Sequence, residues 1–161
     1  MPTEIDYLAQ SENYRPDVIK TLLIGEAPPP SRKSYFYLPA RIKRSVPIER
    51  NTSLPATIFY HYFKKLPKDE VEYHHLLIQL QDLGVFLVDI VDEPIKVRNS
   101  PEGHRRVITE IPYLRSKLME RDIIVSESDI TFLLARRNYQ KWIRAEFPKA
   151  TFIRWKDFRL G

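Results

Sequence analysis

Apolar positions along this chain fall in short runs separated by longer stretches of mixed polarity. Four runs stand out: Leu22-Leu23-Ile24, Val85 to Val91, Ile123-Ile124-Val125 and Thr151 to Trp155. Such runs mark strands buried on both faces, with the first strand read from Val18 to Ile24. Between them the spacing turns helical. Ser53-Leu54-Pro55 reads as an N-cap with proline close behind, opening a helix over Ala56–Lys65. Lys68–Leu83 carries an apolar stripe of Val71, His74, Leu76, Leu77, Leu80 and Leu83, with Gly84 as its stop. Pro101 opens a helix to about Met119, and Ser126-Glu127-Ser128 opens another over Asp129–Glu146. Residues 1 to 18 have no clear period; Tyr7-Leu8 and Tyr14 are read as cover for one sheet edge. Strands alternating with helices predict an α/β fold. The expected form is a three-layer α/β/α sandwich around a four-stranded parallel sheet, one domain over residues 1–161.

The stretch from Thr21 to Tyr37 concentrates unlike chemistry. Gly25 ends the first strand, can take φ > 0 and admits a close approach to the backbone. Glu26 then stands at the strand's carboxyl end, where open α/β sheets bind ligands. Pro28-Pro29-Pro30 stiffens the continuation, followed by Arg32-Lys33 and the triplet Tyr35-Phe36-Tyr37. The whole connection, residues 25–52, also carries Arg41, Lys43, Arg44 and Arg50. A carboxylate, positive charge and aromatic rings in one loop suit a nucleobase attached to a phosphate backbone. The plainer alternative is an ordinary junction whose aromatics close a small core and whose charges are solvated. A second acid, Asp89, interrupts the apolar run Val85–Val91. Such a carboxylate must end the strand, be paired or be neutral.

The formal charge of +5 favours an anionic partner, nucleic acid first among them. There is no cysteine, which excludes disulfides, thiolate metal sites and cysteine nucleophiles. His74 and His75 are adjacent and cannot converge on one ion from a helix, so no metal site is expected. No dinucleotide fingerprint, phosphate loop or nucleophile elbow is present. Residues 1–10 lack the apolar core of a signal peptide, and no run reaches membrane-spanning length. The expectation is an intracellular, cytoplasmic monomer that does not contact membrane.

Leu23-Ile24-Gly25-Glu26-Ala27-Pro28 resembles the first motif of the uracil-DNA glycosylase superfamily, in particular the Gly-Glu-Ala-Pro-Gly of its thermophile-type branch. That branch places an aromatic some ten residues on, where Phe36 stands here. The run Val85–Val91, with Pro94 and Arg98 after it, looks like the family strand that ends in the base-reading Asn. The order of strands and helices agrees from about residue 17 to the C-terminus. The resemblance implies hydrolysis of the N-glycosidic bond of a damaged or deaminated base in single- or double-stranded DNA, without a cofactor. It implies that Glu26 orients or activates water, that Gly25 and Ala27 line the base site, and that Phe36 stacks on the extruded base. Asp89 would read the base edge, while Arg32, Lys33, Lys96 and Arg98 would hold phosphates and Arg154 or Trp155 would face the duplex.

The departures from that pattern are specific. Asp89 replaces the Asn, and an ionised Asp only accepts hydrogen bonds. It would oppose a uracil carbonyl and suit a base with an exocyclic amine; a neutral Asp would restore a donor. The family's late His-Pro-Ser-type loop is absent: no His follows His104, and the equivalent place reads Phe152-Ile153-Arg154-Trp155-Lys156. Arg154 or Lys156 could supply positive charge there and Trp155 a wedge; the plainer alternative is a last strand with Trp155 in the core. The branch's cluster-binding cysteines are missing, and Pro29 removes one backbone N–H from the loop. A rival reading follows, in which the chain keeps the pocket, binds nucleic acid and has lost the chemistry.

Overall fold

The computed structural model describes residues 6–30, 35–40, 53–95, 100–134 and 139–159. The fold is α/β, with a central four-stranded sheet and helices in an arrangement compatible with three layers. Strands β1 (Thr21–Gly25), β2 (Val85–Asp89), β3 (Ile130–Leu134) and β4 (Thr151–Arg154) lie in the order β2-β1-β3-β4. Every pairing is parallel. Leu22, Leu23 and Ile24 on β1 and Phe132 and Leu133 on β3 are completely or almost completely buried, which is why these strands lack polar alternation.

Helix α1 (Tyr7–Glu12) is capped by Asp6, which accepts from the Ala9 N–H. Helix α2 (Leu54–Phe63) starts as the sequence indicates: Ser53 accepts from the Ala56 N–H, and Pro55 sits in the first turn. Helix α3 (Glu70–Leu83) is capped by Asp69 and stops at Gly84, whose φ of 78° is left-handed. The Gly84 carbonyl accepts from the N–H groups of Lys20 and Thr21, so the turn that ends α3 also fixes where β1 begins. The buried face of α3 is Tyr73, Leu76, Leu77 and Leu80; Val71, His74 and Leu83 of the expected stripe are exposed.

Five elements of the sequence reading differ in the structure. The helix expected from Pro101 to Met119 is two: α4 (Pro101–Glu110) and α5 (Leu114–Glu120), joined by a 3-10 turn over Ile111–Tyr113. Pro112 lies in that turn, where it lacks the N–H an α-helix needs and its ring opposes the preceding turn. Ile123–Val125 is not a strand, and Ile124 is 86% exposed. The third strand is instead Ile130–Leu134, inside the segment read as a long helix. Ser126 starts only the 3-10 turn Glu127–Asp129, and the following helix is the short α6 (Gln140–Glu146). An apolar run of three satisfies a strand template locally; Ile130-Thr131-Phe132-Leu133-Leu134 finds β1 and β4 to pair with. Val18 is 68% exposed and precedes β1, and Trp155 opens helix α7 (Trp155–Phe158) rather than ending β4.

Among the described residues, no helix is long and apolar enough to cross a membrane.

Candidate functional site

Strands β1 and β2 end together. Gly25 is the register partner of Asp89, and the ladder continues past both ends: the Ile90 N–H donates to the Gly25 carbonyl and the Val91 N–H to that of Glu26. Parallel partners project to the same face, so Asp89 leans over Gly25. A Cβ built on Gly25 would lie 2.8 Å from Asp89 Oδ1 and 3.7 Å from Leu54 Cδ2. Gly25 does not have positive φ. Its role is space for the neighbouring carboxylate, not the unusual turn that glycine at a strand end first implies.

Beyond these strand ends lies a cavity of about 240 Å³. Glu26, Ala27, Pro28 and Pro29 form one wall, and Leu87 and Asp89 form another. Tyr35 and Phe36, the start of α2 from Ser53 to Pro55, and Trp155 close the rest. Two acids from different strands therefore share one largely apolar cavity with three aromatic rings. Glu26 is 7% exposed. Glu26 and Asp89 each also interact with neighbouring residues. Among the described residues, no Lys, Arg or His lines it.

The aromatic triplet has a structural role beside any contact with a ligand. The Tyr35 hydroxyl donates to the Tyr7 carbonyl at 2.9 Å, and the Phe36 carbonyl accepts from the Tyr73 hydroxyl at 2.6 Å. The Tyr37 hydroxyl accepts from the Leu87 N–H at 2.8 Å. In the described sheet β2 is an edge strand, so Tyr37 satisfies a backbone donor that no neighbouring strand serves. Phe36 itself is 4% exposed, with its ring 5.5 Å from Phe59 and 4.8 Å from Tyr37, centre to centre. It presents a wall rather than a free-standing platform. Burial first, then the negative charge of Asp89, push the Tyr35 hydroxyl well above the usual tyrosine range. Burial does the same to Tyr37 and Tyr73. All three stay neutral and hold the loop by hydrogen bonds.

The end of β2 is also held from behind. Lys117 on α5 donates to the Ile90 carbonyl at 2.6 Å and lies 3.0 Å from Asp92 Oδ1. Nothing in the sequence pointed to Lys117, because its partners lie across the fold. Likewise Leu54, Pro55 and Leu87 read as packing positions and turn out to border the cavity.

Of the residues singled out in the sequence, Glu26, Ala27, Phe36, Asp89 and Trp155 come together around the cavity, with Gly25 beneath Asp89. Trp155 is neither a core residue nor a protruding wedge: it is partly buried, packs on the core and faces the cavity. Arg154 ends β4 beside Leu134 and does not line the cavity. Arg32, Lys33, Lys96 and Arg98 lie outside the described residues, as do Arg41, Lys43, Arg44 and Arg50. His61 is packed flat against Phe158 and hydrogen-bonded to its carbonyl, which ties α2 to α7. Among the described residues, no three His, Cys, Asp or Glu side chains group as metal ligands. A larger recess of about 570 Å³ lies between α4 and the Glu93–Ile95 loop, where Glu93 pairs with Arg106. Comparison with family models, with curated proteins and with solved structures returns no match to this chain.

Proposed function

We propose that the chain is a DNA base-excision glycosylase with a uracil-DNA glycosylase-like three-layer fold. In this reading it hydrolyses the N-glycosidic bond of a damaged or deaminated base flipped into the cavity. The supporting observation is that Glu26 and Asp89, from the carboxyl ends of paired strands, border one small cavity with Phe36 and Trp155. Ligand pockets run roughly 300–1,000 Å³. At about 240 Å³ this one suits a single flat ring system rather than a nucleotide. Glu26 takes a proton from water as it attacks the sugar carbon, and Asp89 reads the base edge by accepting hydrogen bonds. The phosphates stay outside. By chain order, the connections after β1, β2 and β3 hold Arg32, Lys33, Lys96, Arg98, Arg136 and Arg137. With Arg41, Lys43, Arg44 and Arg50 these make ten of the 26 Lys and Arg. That charge agrees with a polyanion at the carboxyl edge of the sheet.

The test is incubation of the full chain with oligonucleotides carrying single modified bases, followed by alkaline cleavage at abasic sites. Cleavage that requires Glu26 supports the reading; no cleavage on any substrate, single- or double-stranded, removes it. One observation favours the alternative of a nucleic-acid-binding protein without chemistry: among the described residues no cation borders the cavity to stabilise an anionic leaving base. Base-selective binding without release is the expected result in that case.

A further inference from the structure

We infer that Arg121 is a positioning residue for the cavity: from the end of α5 it holds the N-terminal segment against the aromatic triplet, and through that segment it sets the wall that Tyr35 forms. This role concerns the shape of the cavity and stands whatever the cavity binds. Arg121 directly follows α5, and its guanidinium spans two other elements. Its central carbon lies 5.7 Å from the centre of the Phe86 ring on β2. Its Nη2 donates to Ser11 Oγ at 3.2 Å and to Glu12 Oε1 at 2.8 Å, both on α1. Ser11 is buried, so this contact lies within the fold. The grip is returned from the other side. Asp122 turns the chain with a left-handed φ of 54°, and Arg15 donates to the carbonyls of Arg121 and Asp122 at 2.7 and 2.8 Å. The planar fork of arginine suits two acceptors at once, as a lysine would not. Helix α3 holds the same segment: Gln81 donates to the Arg15 carbonyl at 2.9 Å, and His74 Nδ1 lies 2.8 Å from the Tyr14 hydroxyl.

The opposite side of this segment meets the cavity wall. The Tyr7 carbonyl receives the Tyr35 hydroxyl, and the two rings meet edge to face at 4.6 Å. The Tyr14 ring stacks on Tyr37 at 5.8 Å, and Tyr37 accepts from the Leu87 N–H. Tyr35 and Leu87 both border the cavity. Residues 7–15 thus form a clasp whose two sides differ in character. Toward the cavity it offers one neutral hydrogen bond and ring contacts. Toward the end of α5 it makes charge-assisted hydrogen bonds, which are stronger and more directional. Helix α1 has six residues, too few to hold a helix in water by itself. Its placement therefore comes from the contacts it makes, and Arg121 supplies those at its last two residues, Ser11 and Glu12. Without them the end of α1 is freed, and the Tyr7 carbonyl no longer fixes the Tyr35 hydroxyl.

The experiment uses the full chain in two measurements, neither of which needs a ligand, so its outcome is separate from that of the glycosylase reading. The first is residue-resolved amide exchange. It compares Leu87, whose N–H is held by Tyr37, with Ile90, whose N–H is held by the Gly25 carbonyl of β1. The second is acrylamide quenching of Trp155, which borders the cavity, in a Trp142→Phe background where it is the remaining tryptophan. Arg121→Ala is expected to speed exchange at Leu87 about tenfold relative to Ile90 and to raise the quenching constant about twofold. Glu12→Gln weakens the same link at a half-exposed position, and the same two changes, smaller in size, are expected there. That variant decides the matter if Arg121→Ala does not fold. In a Tyr35→Phe background the hydrogen bond from α1 to the wall is already cut, and the effect of Arg121→Ala on quenching should shrink to about half or less. Equal acceleration at Leu87 and Ile90 overturns the inference, because it reports a general loss of stability. Unchanged quenching in Arg121→Ala overturns it too, as does an effect fully additive with Tyr35→Phe.

Discussion

Asp89 occupies the space that any side chain on Gly25 would need: the position of a Cβ on Gly25 is 2.8 Å from Asp89 Oδ1. The atom in the way is the tip of a side chain, not backbone, and it can turn aside. Gly25→Ala is therefore expected to cost little stability, under about 1 kcal/mol, while moving the carboxylate. Selectivity between bases should fall more than the urea midpoint does. A large drop in midpoint with unchanged selectivity would contradict this account.

Tyr37→Phe should act in the opposite way. It keeps the ring and removes the acceptor of the Leu87 N–H at a buried sheet edge. An unsatisfied buried donor costs about 1–3 kcal/mol. Urea denaturation should show that loss, with the m-value unchanged. An effect near zero would mean that water reaches the edge of β2.

Asp89→Asn should gain binding to uracil-containing DNA, where the wild type is weak or inactive. An acceptor facing a carbonyl in a desolvated cavity costs about 1–3 kcal/mol, or roughly ten- to a hundredfold in affinity. Gel-shift titration on uracil and unmodified strands measures it. Efficient uracil release by wild type, abolished in Asp89→Asn, would give Asp89 a donor or catalytic role instead.

DNA affinity should fall steeply with salt, by roughly 0.7–0.9 log units per log unit of salt for each phosphate contact. Replacing Arg32 and Lys33 together with Ala should flatten that slope by up to two contacts. An unchanged slope in filter binding at several salt concentrations would move the footprint elsewhere.

His61 gives a pH dependence that can be read from its packing. Burial against Phe158 lowers its pKa, and its Nδ1–H donates to the Phe158 carbonyl. The folded state therefore favours the neutral ring. Its contribution is fully present above the unfolded value of about 6.5 and is lost as pH falls through the lower folded value. Stability measured from pH 8 to pH 5 should decline less in His61→Phe than in wild type. Equal declines would assign the acid sensitivity to other groups.

The sequence by itself determined the two strands that carry the cavity. β1 and β2 are apolar runs with helix-stop or turn glycines beside them, Gly25 after one and Gly84 before the other, and no helical period competes. Asp89, read as interrupting a strand that ran on to Val91, ends β2 at its pairing with Gly25, and the parallel fold brings it beside the end of β1 that Glu26 follows. The start of α2 and the stop of α3 were legible for the same reason: Ser53 and Gly84 act on backbone groups within a few residues of themselves.

Tertiary structure decided what depends on distant partners. Ile123-Ile124-Val125 and Ile130 to Leu134 are both short apolar runs, and only pairing with β1 and β4 distinguishes the strand from the loop. Tyr37 becomes a sheet-edge acceptor because Leu87, fifty residues away, lacks another partner there. Trp155 faces the cavity because β4 ends one residue before it and the chain turns into α7. Local pattern reports which residues avoid water, but not which surface they meet. That second choice is made by non-local packing, and it sets the walls of this cavity.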